Sequence, residues 1–150
     1  MSTPAEVRRA AVALLARREH SARELRAKLV RKGAPAELVA EVVAALAAEG
    51  LQSDTRFTEV YVRSSIARGQ GLVRIRAALR EHGIGEPVMD EALGACAADW
   101  PEQLEQVRRK RFGAALPDDP KERARQARFL QYRGFSAEQI RRALNDRDSD

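Results

Sequence analysis

The sequence predicts an all-α protein built from three tandem three-helix repeats, helix-turn-helix-like, stacked in an elongated, curved array. Three observations carry this reading. Ala, Leu, Arg and Glu dominate the 150 residues, and these side chains lose least on entering a helix. No Val/Ile/Thr/Tyr-rich run alternates with period two, and no Asn-Gly or Asp-Gly hairpin turn occurs. Finally, the chain resembles itself. At an offset of 50 residues Val12 falls on Val62, Ala16 on Ile66, Leu25 on Ile75, Leu29 on Leu79, Gly33 on Gly83, Leu38 on Val88 and Val43 on Leu93. At a further offset of 51, Leu79 meets Leu130, Gly83 meets Gly134 and Leu93 meets Leu144. The repeats are therefore placed at residues 1–52, 53–99 and 100–150, the last with an acidic C-terminal tail.

Helix-capping residues mark each element in turn. Thr3-Pro4-Ala5-Glu6 reads as a capping box with Pro at the first helical position, and Val7, Ala10, Ala11, Leu14 and Leu15 then form one stripe. Ser21-Ala22-Arg23-Glu24 starts a second helix with Leu25 and Leu29 on one face, stopped by a left-handed Gly33. Pro35 opens a third, with Leu38, Val42, Val43 and Leu46 inward, ending at Gly50. In the second repeat Ser53 is the expected N-cap before Phe57, Tyr61, Val62 and Ile66. Gly69-Gln70-Gly71 makes a tight, mobile turn, Ile75 and Leu79 carry the next helix to Gly83, and Pro87 opens a helix with Val88, Ala92 and Leu93 inward. The third repeat starts near Trp100-Pro101 with Leu104, Val107 and Phe112, passes a loop from Gly113 to Asp119, and resumes at Asp119-Pro120 with Phe129 and Leu130 up to Gly134. Ser136-Ala137-Glu138-Gln139 is a last capping box before Ile140 and Leu144, and the tail Asp146–Asp150 is expected to fray. A unit of about 50 residues has a marginal core by itself, so packing against neighbours must add to its stability.

Composition excludes several classes. Apolar residues are 44% of the chain but aromatics only 5%, so the core is aliphatic. The net charge of +5 is uneven: residues 1–50 carry nine basic and six acidic side chains, 51–100 six and seven, and 101–150 twelve and nine. Only four of the 27 basic residues are lysines, and although a high-GC genome favours arginine, its planar fork is also the better grip on carboxylate or phosphate. A single cysteine excludes an intramolecular disulfide, and neither an apolar run near the length of a membrane span nor a leader-like N-terminus is read. A cytoplasmic location is expected.

No constellation supports catalysis. Cys96 reads as a small buried hydrophobe, and one Cys with two His at no close spacing makes no zinc site. His82, just before Gly83, fits a helix C-terminus. Gly69-x-Gly71 lacks the third glycine, the preceding strand and the lysine that phosphate-binding loops need. The carboxylates Asp54, Glu59, Asp90, Glu91, Asp118 and Asp119 fall at helix starts or on solvent faces. No enzyme, cofactor, metal or small-molecule substrate is expected, nor a membrane. The remaining feature is cationic surface: Arg63, Arg74, Arg76 and Arg80 in the second repeat, and Arg108-Arg109-Lys110-Arg111, Arg123, Arg125, Arg128 and Arg133 in the third. Singly, each reads as part of a solvated helix face of the kind that i,i+4 pairing supports. Together they suit a polyanion or an acidic protein groove, and Arg63, Arg74, Arg76, Arg80, Arg108, Arg109, Lys110, Arg111, Arg125 and Arg128 are the candidate contacts.

The motifs resemble the RecX family of bacterial regulatory proteins. The middle repeat carries most of the likeness, through Asp54-Thr55-Arg56-Phe57, Tyr61-Val62-Arg63-Ser64, Gly69-Gln70-Gly71, Arg74-Ile75 and Leu79 to Gly83-Ile84. The last repeat adds Lys110-Arg111-Phe112-Gly113 and Arg128-Phe129-Leu130-Gln131-Tyr132-Arg133-Gly134-Phe135-Ser136, and the first adds Arg18-Glu19-His20-Ser21, Glu24-Leu25 and Leu29. Gln70 departs from the bulkier residue the family often has between these glycines. The resemblance implies a protein that binds the RecA–DNA filament in its helical groove and inhibits filament growth, strand exchange, ATP hydrolysis and co-protease activity. Single- or double-stranded DNA is a further expected partner. The alternative is a direct DNA-binding protein of helix-turn-helix type, against which the slightly acidic middle repeat argues; a scaffold for an unrelated partner is a third reading.

Overall fold

The structure is a computed structural model that describes residues 1–145, so the acidic tail Asp146–Asp150 lies outside the described residues. Among the described residues there are nine α-helices and no strand: α1 (Pro4–Arg17), α2 (Ala22–Arg31), α3 (Ala36–Ala48), α4 (Asp54–Ala67), α5 (Leu72–Glu81), α6 (Glu86–Ala95), α7 (Trp100–Phe112), α8 (Pro120–Arg133) and α9 (Ala137–Asn145). The all-α expectation and its three sets of three helices hold. The chain forms two compact units, one of Met1–Tyr61 with Leu79–Ala92, the other of Val62–Ala78 with the described part of Leu93–Asp150.

In the first unit α1 starts where the capping box requires: Glu6 N donates to Thr3 Oγ1 (3.2 Å) and Thr3 N to the Glu6 carboxylate (3.2 Å). Val7, Ala11 and Leu14 of α1, Leu25 and Leu29 of α2, and Val39, Val42, Val43 and Leu46 of α3 close an aliphatic core. Full burial of a Leu or Val contributes about 1.5–3 kcal/mol, so this cluster offsets much of the ordering entropy. Gly33 ends α2 at φ +103°, the left-handed value expected of it. The start of α2 is held from α4 as well as by its own Ser21: Ala22 N donates to Asp54 Oδ1 (2.9 Å), which also accepts from Gln52 Nε2 (3.0 Å).

His20 lies beside that junction, 1% exposed. Its Nδ1 faces the Arg18 carbonyl (3.0 Å), which can only accept, and its Nε2 faces Lys28 Nζ (2.9 Å), which can only donate. The neutral tautomer protonated on Nδ1 satisfies both, and burial holds the ring's pKa below its ordinary value.

The second unit has its own core of Leu104, Leu130, Phe135, Ile140 and Leu144, flanked by Val107, Ala127, Phe129 and Ala143. Helices α7, α8 and α9 each carry an N-terminal cap. Asp99 Oδ1 accepts from Glu102 N (3.1 Å) and Asp119 Oδ1 from Glu122 N (2.8 Å), while Ser136 and Gln139 cap one another at 3.1 and 2.8 Å. The N-terminal turn of α5 abuts the C-terminal end of α8. Gly71 N donates to the Arg133 carbonyl (2.8 Å) and Val73 N to the Gly134 carbonyl (2.9 Å), so unpaired groups at two helix ends satisfy each other. A Cβ on Gly71 would lie 2.6 Å from the Gly134 carbonyl, and Gly134 itself adopts φ +103°.

Four expectations need correction. The Gly69–Gly71 turn is held in place, by the α8 contact and by Gln103 Nε2 donating to the Gln70 carbonyl (3.4 Å) as well as to that of Ile66 at the end of α4 (2.7 Å). Val12 is 40% exposed where Val62 is 1% exposed, because α4 contributes Phe57 and Thr58 to one unit and Val62 and Ser65 to the other, and so buries a wider face than α1. His82 does more than sit at a helix end: its ring packs 4.9 Å from Phe57 and 5.5 Å from Tyr61. Cys96 is half-buried rather than core, with Sγ on the Leu93 carbonyl (3.0 Å).

Two outcomes follow. Gly71→Ala is expected to lower the melting temperature of the chain, since backbone must move to admit the methyl group, whereas Gly94→Ala in α6, with open space at its Cβ, is expected to raise stability by about 0.5–1 kcal/mol; equal melting temperatures would contradict the close crossing. Because the folded His20 ring protonates at lower pH than the unfolded one, stability is full above the ordinary histidine range and declines as pH falls through the lowered pKa. The urea midpoint is expected to fall between about pH 7.5 and about pH 5, and to fall less in His20→Gln; equal declines in both proteins would contradict the assignment.

Candidate functional site

The run Arg108-Arg109-Lys110-Arg111 lies in α7, where successive side chains point about 100° apart and four in a row cannot share a face. Arg108 turns into the protein and is fully buried, at 0% exposure. Its Nη2 and Nε reach the Glu105 carboxylate at 2.6 and 3.1 Å, and its remaining donors reach the Ala114 and Ala115 carbonyls at 3.1 Å each. The expected surface contact is thus an internal clamp that ties the 113–119 loop to α7. Arg109 also donates to Glu105 (2.9 Å) but stays exposed. The hydrogen bond from Arg108 holds the Glu105 carboxyl below the ordinary carboxylate range against the opposing effect of burial, with Arg109 adding to the shift.

Lys110 and Arg111 face a groove of about 660 Å³ within the second unit. Its wall on α7 is Gln103, Gln106, Val107 and Lys110, a spacing of i, i+3, i+4 and i+7 that puts all four on one helix face. The end of α4 and the residues after it contribute Ile66, Ala67, Arg68 and Gly69, and α8 contributes Phe129 and Arg133. Arg111 and Arg133 each hold a guanidinium 5.0 Å from the centre of the Phe129 ring, and Phe112 meets the same ring edge-on at 5.4 Å. Arg133 Nη1 donates to the Arg68 carbonyl (2.9 Å), which fastens the α4 end to α8. Among the described residues no carboxylate lines this groove.

The other expected contacts scatter. Arg74 stacks 5.0 Å over the Tyr132 ring and donates to the Tyr132 carbonyl (3.2 Å), so it serves the α5–α8 crossing, while Tyr132 itself is 73% exposed. Arg80, in the first unit, pairs with Glu86 (2.9 Å). Arg125 pairs with Glu122 (2.8 Å) and lies 5.1 Å over Phe112. Arg63 and Arg128 are exposed on α4 and α8, and Arg76 is half-buried on α5. Of the ten candidates, the groove brings together Lys110 and Arg111. Arg68, Gln103, Gln106 and Phe129 of the same groove were not singled out as contacts from sequence, nor was Arg133 ranked among them. The one-face spacing in α7 was the available signal for the glutamines; nothing local marks Arg68 or Arg133, which meet only through the fold.

Among the described residues no group of three or more His, Cys, Asp or Glu is placed to hold a metal ion, and no helix is long and apolar enough to cross a membrane. The groove is cation-rimmed with an apolar floor, and the fold defines an all-helical tandem-repeat protein. Comparison with known proteins gives its family: residues 8–46, 53–93 and 99–144 match the first, second and third three-helix domains of RecX. Regulatory protein RecX of Halorhodospira halophila is 51% identical over 144 residues, covering 96% of this chain and 89% of the relative. That of Pseudomonas savastanoi is 44% identical, covering 100% and 97%. A crystal structure of RecX from Lactobacillus salivarius shares the fold with a TM-score of 0.77 at 20% identity, covering 98% of this chain and 97% of the other. A crystal structure of regulatory protein RecX matches with a TM-score of 0.79 at 23% identity, covering 95% and 71%. The chain belongs to the RecX family. It is a regulatory protein, not an enzyme.

Arg108→Ala empties a buried site and takes the side-chain donor from the Ala114 and Ala115 carbonyls, so it is expected to lower the urea midpoint markedly while Arg109→Ala changes stability by less than about 1 kcal/mol. Equal effects would contradict the assignment of Arg108 as the internal member of the run.

Proposed function

We propose that this chain regulates the RecA recombinase, by binding the RecA–DNA filament within its helical groove and holding back filament growth. Strand exchange, ATP hydrolysis and co-protease activity all require the filament, and fall with it. The supporting observation is the match over nearly the whole chain to proteins named as RecX regulators; the RecA target is what the family implies. The cationic groove adds a physical reason. A protein–DNA filament presents many carboxylates and phosphates, and a groove lined by Arg68, Lys110, Arg111 and Arg133 without a carboxylate attracts such a surface over a Debye length. Tandem repeats contacting several protomers at once gain affinity by multivalency. The site of action is the cytoplasm, where the filament forms.

Titration of the full chain into RecA assembled on single-stranded DNA is expected to lower ATP hydrolysis and strand exchange together, in proportion to protein added. Unchanged hydrolysis at saturating protein would contradict the proposal. Direct duplex binding by a helix-turn-helix face would instead show affinity for naked DNA falling with salt at a slope of about −0.9Z for Z phosphates neutralised.

A further inference from the structure

We infer that the groove between the end of α4, α7 and α8 receives an acidic peptide segment bearing apolar side chains, and so grips the protein part of the target rather than its nucleic acid; this rests on the reading above that the target is a protein–DNA filament. Three features carry it. The first is uncompensated charge. Arg68, Lys110, Arg111 and Arg133 line the groove with no carboxylate among its described walls. Arg111 and Arg133 are positioned by the Phe129 ring, and Arg133 also by the Arg68 carbonyl. Their charge is therefore left for an incoming anion, and their rotamers are set before it arrives. A carboxylate matches the fork of a guanidinium in two parallel hydrogen bonds.

The second feature is the apolar floor of Ile66, Val107 and Phe129, which a phosphodiester chain has nothing to bury against. A leucine or phenylalanine beside the carboxylate does, at about 25 cal/mol per Å² of apolar surface removed from water. The volume, about 660 Å³, has room for a few side chains and none for a duplex. The third feature is the state of the one aromatic ring in the groove. Single-stranded nucleic acid binds by stacking its bases on open ring faces, yet two guanidiniums lie over the Phe129 ring and Phe112 abuts its edge. The exposed Tyr132 does not line the groove.

The test uses the full chain and fluorescence anisotropy with four labelled probes: a short peptide alternating Glu with Leu and Phe, the same peptide with Gln for Glu, the same with Ser for Leu and Phe, and an oligothymidylate. The acidic apolar peptide is expected to bind. Both altered peptides are expected to bind at least about tenfold more weakly, and unlabelled oligothymidylate is not expected to displace the first. The double variant Lys110→Glu with Arg111→Glu, both exposed residues, is expected to lose the peptide with unchanged circular dichroism. Peptide affinity unaffected by that reversal overturns the inference, as does displacement by oligothymidylate, which marks the groove as a nucleic-acid site. RecA ATPase inhibition by the same variant separates the two readings. Loss of the peptide with inhibition fully retained overturns the inference and leaves the regulatory function standing, whereas no inhibition by the native chain removes the RecA reading whatever the peptide does.

Discussion

A helix must find partners for its last carbonyls, and the end of α8 finds them on the first turn of α5. Gly71 N and Val73 N take the Arg133 and Gly134 carbonyls, and the Arg74 guanidinium takes that of Tyr132. The approach is too close for a Cβ on either glycine, since one on Gly134 would run into the Arg74 side chain. The groove of the second unit follows from this crossing. With the turn after α4 pinned there, the Arg68 carbonyl lies where Arg133 donates and the Ile66 carbonyl where Gln103 donates. The α4 end then stands beside the Gln103–Lys110 face of α7, and the space left between them is the site.

A related contact holds the first unit. Arg23, at the start of α2, packs on Gly83, the left-handed glycine after α5 at φ +78°, and reaches the Glu81 carbonyl at 3.4 Å. Arg23 precedes Gly83 by sixty residues, as Arg74 precedes Gly134. In both units an arginine in the first turn of a middle helix covers the glycine that ends the next one. The backbone exchange seen at Gly71 has no copy in the first unit, where the Asp54 carboxylate takes Ala22 N instead. Gly83 and Gly134 therefore answer two demands, a left-handed backbone and the absence of a side chain where the preceding repeat packs.

Local signals were legible in the sequence because local chemistry sets them. Thr3 with Glu6, Ser21 with Glu24, Ser136 with Gln139, and Asp119 before Pro120 cap helices wherever they fold, and Leu29, Leu79 and Leu130 mark the inward face in three copies. What depended on tertiary partners was not legible. Val12 and Val62 occupy equivalent positions, yet only the helix that serves both units buries its valine. Arg108 reads like its three neighbours until the 113–119 loop folds back to offer two carbonyls. Arg68 and Arg133 are 65 residues apart and become neighbours only through the α5–α8 crossing. The family motifs bridged that gap for the family, but not for the residues that line the groove.

Internal clamps consume part of the chain's arginine, at Arg74 and Arg108, while Arg68, Lys110, Arg111 and Arg133 line one groove of the second unit. The most direct measurement is hydrogen–deuterium exchange of the full chain with and without RecA assembled on single-stranded DNA. Slowed exchange centred on residues 66–71, 103–111 and 129–134 is the expected result. Protection confined to the first unit, with those three segments unchanged, would contradict the account.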